Sequence, residues 1–309
     1  MTYSIVARDP DTGALGVGVQ SHFFAVGRMI QWAEAGVGAV ATQSFIEPSY
    51  GKLGLDLMRA GRTAPEALRG LLAADAKAEI RQVGMVDAAG NAHAHTGSGC
   101  VAEAGQIVAP NLAIQANMMA RSTAIHAMRK AYEASRAPFP VRLLEALDAA
   151  EADGGDIRGK QSAALLVVAG ERSGHPWDNV LVDIRVDDHE APLVELRRLL
   201  DHTFAFGHML DLFNTEGLMS HEFTASPERL DWALETLGKA QAILGKGNLE
   251  PTLWRGVLLA RAGRLADARR DIADAVQAHP DFGVFLRRLP AAGFLRSDPK
   301  LLAQLLGES

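Results

Sequence analysis

The residue with the most distinctive chemistry is the second one. Thr2 directly follows Met1, and a strand-like run, Tyr3-Ser4-Ile5-Val6-Ala7, begins at once. With Met1 removed, Thr2 carries a hydroxyl and a free α-amine on the same residue. That pair is a nucleophile with its own general base, because an α-amine titrates near pH ~8 and can take the hydroxyl proton. Attack on a carbonyl creates an oxyanion that needs hydrogen-bond donors already in place. Asn117, following a strand end, is the first candidate donor, although a turn-forming Asn would look the same. Ser21 and His22 end the strand expected beside the first one. Ser21 could orient the amine or satisfy strand-end backbone, and His22 could bind substrate or stand exposed. Gln43 and Ser44 end a third strand and are expected to line the same pocket.

A second cluster is the polar, glycine-rich segment 153–162, which runs into the apolar segment 163–168. Arg158 could bind a substrate carboxylate bidentately, while Asp156 could hold Arg158 or the Thr2 amine. An internal Asp156–Arg158 bridge that orders the loop is the alternative. Gln161 and Ser162 complete the loop and are taken with it as substrate-binding candidates. Asp187-Asp188-His189 is read as a cap for a helix starting near Pro192. His93 and His95 share a strand face at the spacing of a metal pair, but no third ligand stands nearby. Cys100 follows Gly97-Ser98-Gly99 without an arguable His partner. No Gly-rich loop with Lys-Ser or Lys-Thr is present to cradle phosphates. No metal and no organic cofactor is therefore expected.

These residues need elements to carry them. Segments 3–7 and 14–20 read as a hairpin across Arg8-Asp9-Pro10-Asp11-Thr12-Gly13. The second strand alternates Gly16, Gly18 and Gln20 with Leu15, Val17 and Val19, so one face is open to another backbone or a ligand. Residues 23–34 look irregular, and 35–43 reads as a third strand of small residues. A helix over 50–60 follows, then a second one opened by the capping box Thr63-Ala64-Pro65-Glu66. Segments 80–87 and 92–96 form a predicted hairpin, followed by short strands at 107–108 and 112–115. Helices are expected at 123–135 and 141–152, separated by Pro138 and Pro140, then strands at 163–168 and 180–186 and a helix from Pro192 towards Leu212. Helices come in blocks rather than alternating singly with strands, which favours an α+β layered sandwich. From about residue 226 the strand pattern stops. Trp254, Gly256, Leu259, Ala268, Ile272, Ala275 and Pro280 fall near tetratricopeptide spacing, with Ala233, Leu237 and Ala240 as a degenerate earlier copy. The expected domains are 1–210 and a small helical one, 211–309.

Composition bounds the partners. The 309 residues are 48% hydrophobic and 22% charged, ordinary for a globular protein with a real core. A formal charge of -6, from 31 basic and 37 acidic residues, argues against nucleic acid. Cys100 is the only cysteine, so no intrachain disulfide can form. Arg8 and Asp9 interrupt the N-terminus before an apolar leader core could form, and 163–169 is far short of the ~20 residues that span a bilayer. The expectation is a cytoplasmic protein that does not enter membranes.

Several stretches together resemble a bacterial and archaeal family, domain of unknown function 1028, placed in the N-terminal-nucleophile hydrolase superfamily. They are Thr2-Tyr3-Ser4-Ile5-Val6-Ala7-Arg8-Asp9, Trp32-Ala33-Glu34-Ala35-Gly36-Val37-Gly38-Ala39-Val40-Ala41-Thr42-Gln43, Gly155-Asp156-Ile157-Arg158-Gly159-Lys160-Gln161-Ser162-Ala163-Ala164-Leu165 and Val186-Asp187-Asp188-His189. The resemblance covers about the first two hundred residues. It implies a four-layer αββα sandwich with Thr2 opening a central strand, and hydrolysis of an amide bond by N-terminal attack. Some relatives carry a C-terminal segment proposed to bind peptidoglycan. The expected function is thus an amidohydrolase acting on a small amide or peptide-like substrate, with Thr2, Ser21 and Asn117 catalytic. The helical tail would hold a protein or peptidoglycan partner. Small-residue apolar helices suggest a homodimer. The rival expectation is a non-catalytic binding or scaffold protein that keeps the sandwich and uses its tail.

Overall fold

The structure, a computed structural model, describes residues 2–219 and 222–308. It divides into two compact units, residues 1–200 and 201–309. The first unit is α+β and built on two antiparallel sheets. The six-stranded sheet runs β10-β9-β2-β1-β8-β7, with β1 Thr2–Arg8, β2 Leu15–Ser21, β7 Gly105–Ala109, β8 Leu112–Asn117, β9 Ser162–Val168 and β10 Val180–Val186. The four-stranded sheet runs β3-β4-β5-β6, with β3 Gln31–Glu34, β4 Gly38–Ser44, β5 Arg81–Asp87 and β6 Ala92–Thr96.

The N-terminal strand occupies the interior of the larger sheet. It pairs with β2 on one side and β8 on the other, so Thr2 stands opposite both Ser21 and Asn117. Strand alternation then sorts its side chains. Thr2, Ser4 and Val6 face the smaller sheet, while Tyr3, Ile5 and Ala7 face the helices α3 (Ala124–Ala134) and α4 (Phe139–Ala152). Helices α1 (Ser49–Arg59) and α2 (Ala64–Ala74) cover the smaller sheet. The predicted capping box opens α2: the Thr63 hydroxyl accepts from Glu66 N, and the Glu66 carboxylate accepts from Thr63 N.

The open glycine face of β2 is filled from within the protein. A Cβ on Gly16 would come within 2.6 Å of Leu143 Cδ1, and one on Gly18 within 3.3 Å of Leu147 Cδ1, so α4 uses that space. Two element readings change. Residues 35–43 are not one strand: Gly36 at φ 66 turns the chain between β3 and β4, and β3 lies in the stretch expected to be irregular. Helix α4 begins at Phe139, because Pro140 falls in its first turn, where a missing N–H costs nothing.

The space between the sheets has two ends of opposite character. Val6, Val17, Val19, Ala39, Ala41, Val86 and Ala113 make one end apolar. The other end, beside Thr2, is a layer of buried amides and hydroxyls described below.

All three tyrosines belong to this unit. Tyr3 donates to Glu151 Oε2 at 2.8 Å and Tyr50 to Asp75 Oδ2 at 3.1 Å. Tyr132 lies under the Arg142 guanidinium, 4.5 Å from ring to Cζ. Burial, reinforced by Glu151, holds Tyr3 well above the ordinary phenol range. Burial and then Asp75 raise Tyr50, and burial pushes Tyr132 up to about 12. With folded pKa values above the unfolded value of about 10, the native state keeps protons that the unfolded chain releases. Their contribution is complete below pH ~10 and is lost as pH rises beyond it. Tyrosinate absorbance is therefore expected to stay absent just above pH ~10 and to rise together with unfolding. A gradual tyrosinate signal near pH ~10 in the folded protein would contradict these environments.

Helix α5 (Pro192–Asn214) runs across the division into the second unit, which is helical: α6 Pro227–Leu244, α7 Glu250–Arg261, α8 Leu265–Ala278, α9 Asp281–Arg288 and α10 Pro299–Leu306. Helices α7 and α8 form an antiparallel pair. Gly256 lets them close, since a Cβ there would lie 2.7 Å from Ile272 Cγ1. Trp254 is packed edge-on by Phe213, Phe285 and Phe294 at centroid distances of 4.8 to 5.6 Å. Ala233, Leu237, Ala240, Leu259, Ala268, Ile272 and Ala275, the repeat-spaced residues, are all in this core. Among the described residues no helix is long and apolar enough to cross a membrane.

Candidate active site

Cross-strand register builds a polar row at one end of the six-stranded sheet. Ser162 stands opposite Ser21, Ser21 opposite Thr2, and Thr2 opposite Asn117. Directly opposed residues share a face, so all four side chains point towards the smaller sheet. Thr2 Oγ1 and Ser21 Oγ are 3.1 Å apart, a hydrogen bond in either direction. Thr2 is buried at 4% exposure, and Ser21, Asn117 and Ser162 are at 0%.

The smaller sheet answers with its own row, Gln43, Gln82 and Thr96, again set by register. Gln43 Nε2 donates to Thr2 O at 3.0 Å, to Gln82 Oε1 at 2.8 Å and to Gln115 O at 3.2 Å. Asn117 Nδ2 donates to Gln82 Oε1 at 2.7 Å, with Thr2 O at 3.5 Å. Gln82 Nε2 donates to Thr96 Oγ1 at 2.9 Å and to Ala116 O at 2.8 Å. One layer deeper, Ser4 donates to Gln43 Oε1 and Gln115 Nε2 donates to Ser4, each at 2.6 Å. Gly84 makes room for this layer, because a Cβ there would lie 2.1 Å from Gln115 Oε1. Buried amides are retained only when partnered. Here the partnering clamps the carbonyl of Thr2 from the facing sheet. Asn117 Oδ1 and Gln115 Oε1 are exceptions in this layer, buried acceptors without a partner among the described residues.

The segment 153–162 crosses the start of β1. Gly154 and Gly155 take φ of 117° and 59°, conformations that side chains disfavour, and turn the chain out of α4. Ala120 N then donates to Gly155 O and Ile157 N to Met118 O, beyond the end of β8. Gln161 N donates to Ser21 O, and His22 N donates to Asp156 Oδ2 at 3.1 Å, beyond the end of β2. Since β1 lies between β2 and β8, the loop spans the end of β1 that carries Thr2. Asp156 is buried at the centre of the loop and also accepts from Arg158 N at 2.8 Å and Arg158 Nη2 at 3.4 Å. The internal bridge is thus present.

The remaining candidates spread out from this centre. His22 is exposed at the mouth. Gln43 is fully buried in the amide layer, while Ser44 is half-buried at its edge with φ 69. Gln161 Nε2 donates to Asp188 Oδ1 at 3.1 Å. Ser162 donates to Phe23 O and accepts from Val26 N, fastening the turn after β2. His189 Nδ1 accepts from Ala191 N at 2.9 Å just before α5. His95 Nε2 lies 2.8 Å from Ala78 O, and Cys100 Sγ donates to Arg81 O at 3.4 Å. Non-glycine residues with positive φ gather at this end: Ala25, Ser44, Glu103 and Met118 all lie in its loops. Such conformations cost about 1–3 kcal/mol each and concentrate where surrounding structure imposes a geometry.

Ser4, Gln82, Thr96 and Gln115 were not singled out from sequence. The available signal was a glutamine within each of β4, β5 and β8. A cavity of about 650 Å³ lined by Asp9, Pro138, Phe139 and Arg142 lies past the other end of β1. Arg142 and Asp9 in its wall are paired, Nη1 to Oδ1 at 3.2 Å, and Asp11 and Arg136 also line it.

Comparison with known proteins places the geometry in context. The model of a family of unknown function, DUF1028, matches residues 2–196. That range falls inside the first unit. A crystal structure of protein SPO2555 from Silicibacter pomeroyi, assigned to DUF1028, is similar at 31% identity and a TM-score of 0.58. The match covers 64% of this chain and 87% of that one. No curated protein matches the chain.

Proposed function

We propose that this chain, which belongs to the DUF1028 family of unknown function, is an amidohydrolase whose nucleophile is the hydroxyl of Thr2. The reading takes the two facing sheets and their helices as an αββα sandwich of the N-terminal-nucleophile kind. The observation that carries it is the setting of Thr2: first residue of an interior strand, hydroxyl 3.1 Å from Ser21 Oγ, carbonyl accepting from Gln43 Nε2 at 3.0 Å and Asn117 Nδ2 at 3.5 Å. An ordinary strand-end threonine requires no such clamp.

In this mechanism Met1, which lies outside the described residues, is removed. The α-amine of Thr2 takes the proton from Oγ1 as Oγ1 bonds to the amide carbon. The tetrahedral intermediate collapses, the C–N bond breaks, and the leaving amine takes the proton from the α-ammonium. Water, deprotonated by the same amine, then cleaves the threonyl ester and restores Oγ1. Ser21 orients Oγ1 through their hydrogen bond. Asn117 enters with a different polarity from the one its sequence position suggests. Its N–H groups are directed to Gln82 and Thr2 O, so the atom it offers is the acceptor Oδ1, suited to an N–H of the substrate or of the α-amine. Asp156 orders the loop over the site.

The test is intact-mass spectrometry of the purified protein before and after an amide-mimetic electrophile. The expected result is a chain beginning at Thr2 that gains one adduct on that residue. Quantitative retention of Met1 blocks the amine and sinks the mechanism. A protein with no turnover, whose partner is lost when the helical unit is deleted, would be the scaffold instead.

A further inference from the structure

Five large apolar side chains stand exposed around the end of β1 that carries Thr2: Phe23 (45%), Phe24 (62%), Phe45 (55%), Val101 (48%) and Ile157 (70%). They come from four loops far apart in sequence, and hydrogen bonds tie those loops into a collar. Ser162 and Asp156 join the Phe23 turn to the Ile157 loop. Ile157 N donates to Met118 O, and Met118 N to Val101 O. Cys100 then bonds Arg81 O, and Arg81 Nη1 donates to Phe45 O at 2.7 Å. The collar therefore runs from Phe23 through Ile157 and Val101 to Phe45, with the buried hydroxyl row beneath it.

We infer that this collar is the specificity surface, and that the amide attacked at Thr2 carries a bulky apolar or aromatic acyl group. The inference rests on the reading of Thr2 as nucleophile. Single exposed apolar residues are unremarkable, whereas several on linked loops around one strand end make a surface suited to an apolar ligand. The acyl group is the part concerned, because it stays bonded to Thr2 through both chemical steps and must be held while water attacks. The polar layer below is buried, and Thr2 keeps 4% exposure, so the collar is the surface a substrate meets first.

Two measurements on the full-length chain decide this. In the first, β-lactones bearing a phenyl or hexyl group are compared with a hydroxymethyl counterpart, reading the rate of the Thr2 adduct by mass. The apolar probes are expected to react at least about tenfold faster, and Phe45→Ser or Ile157→Ser to remove most of that preference. In the second, hexanamide and lactamide are titrated against the Thr2→Ala variant and followed by NMR. Hexanamide is expected to bind, lactamide not, and Ile157→Ser to abolish the difference. Equal lactone rates, or a preference untouched by both collar substitutions, overturn the inference. If no lactone labels Thr2, the nucleophile reading has failed, and the amide titration alone decides the collar: absence of hexanamide binding overturns it. A stable dimer that Phe45→Ser dissolves, with lactone preference unchanged, assigns the surface to a second copy and also overturns it.

Discussion

Thr2→Ala is expected to reduce acylation by an amide-mimetic electrophile on the order of a millionfold, the scale on which removing a nucleophile acts. Thr2→Ser is expected to retain much of the rate, because it keeps the hydroxyl and the α-amine on one residue. The two substitutions separate chemistry from architecture. Alanine leaves the strand ladder of Thr2 with Ser21 and Asn117 in place and removes the γ-methyl and the hydroxyl with its 3.1 Å contact to Ser21 Oγ. A neutral hydrogen bond of that kind contributes about 1 kcal/mol, so the denaturation midpoint should move little. An Ala variant that labels as fast as the parent would transfer the case to the non-catalytic reading. A Ser variant as inactive as Ala would point to the threonine methyl as a packing requirement rather than to the hydroxyl.

The second large effect is on stability. Gln82 accepts from Gln43 Nε2 and Asn117 Nδ2, and donates to Thr96 Oγ1, Ala116 O and Gly105 O. Leucine has similar bulk and none of these functions. Its introduction leaves several buried polar groups without partners, at about 1–3 kcal/mol for each that cannot relax. Gln82→Leu is therefore expected to destabilise the first unit by about 3–5 kcal/mol, read from urea unfolding. Gln106→Leu is the comparison: its side chain is exposed and donates only to Ala94 O, at 2.8 Å. The cost there should stay below about 1 kcal/mol. Equal effects of the two substitutions would mean that the amide layer is not the structural element described here. A Gln82 variant that folds should also label more slowly at Thr2, since Gln43 and Asn117 would lose the acceptor that aims them.

Local rules went far along this chain. The turn at 9–14 is short and rich in turn formers, so β1 and β2 had to pair as a hairpin. Their register then puts Ser21 beside Thr2 with no help from the rest of the protein. The capping box at Thr63 was legible for the same reason: its partners are three residues apart. So was the α7–α8 pair, whose contacts recur at helical spacing. Strand β3 was not legible. It is four residues long and half-buried throughout, so it shows no alternation of buried and exposed positions. Helix α4 starts at Phe139, before Pro140, because a proline that would break a helix interior is harmless in a first turn.

What the sequence determined by itself is the strand that Thr2 opens, its hairpin neighbour, the glycine-rich loop and a helical C-terminal region. Each depends on residues within a few turns or strand positions of one another. Tertiary structure alone decided which helix fills the glycine face of β2, and that Gln82 and Gln115 reach across to the strand of Thr2. It also decided that the Asn117 N–H groups are directed to Gln82 Oε1 and Thr2 O. The physical reason is that hydrogen-bond direction in a buried layer is set by every partner at once. Those partners come from strands up to 115 residues apart in the chain, whose pairing no local pattern encodes.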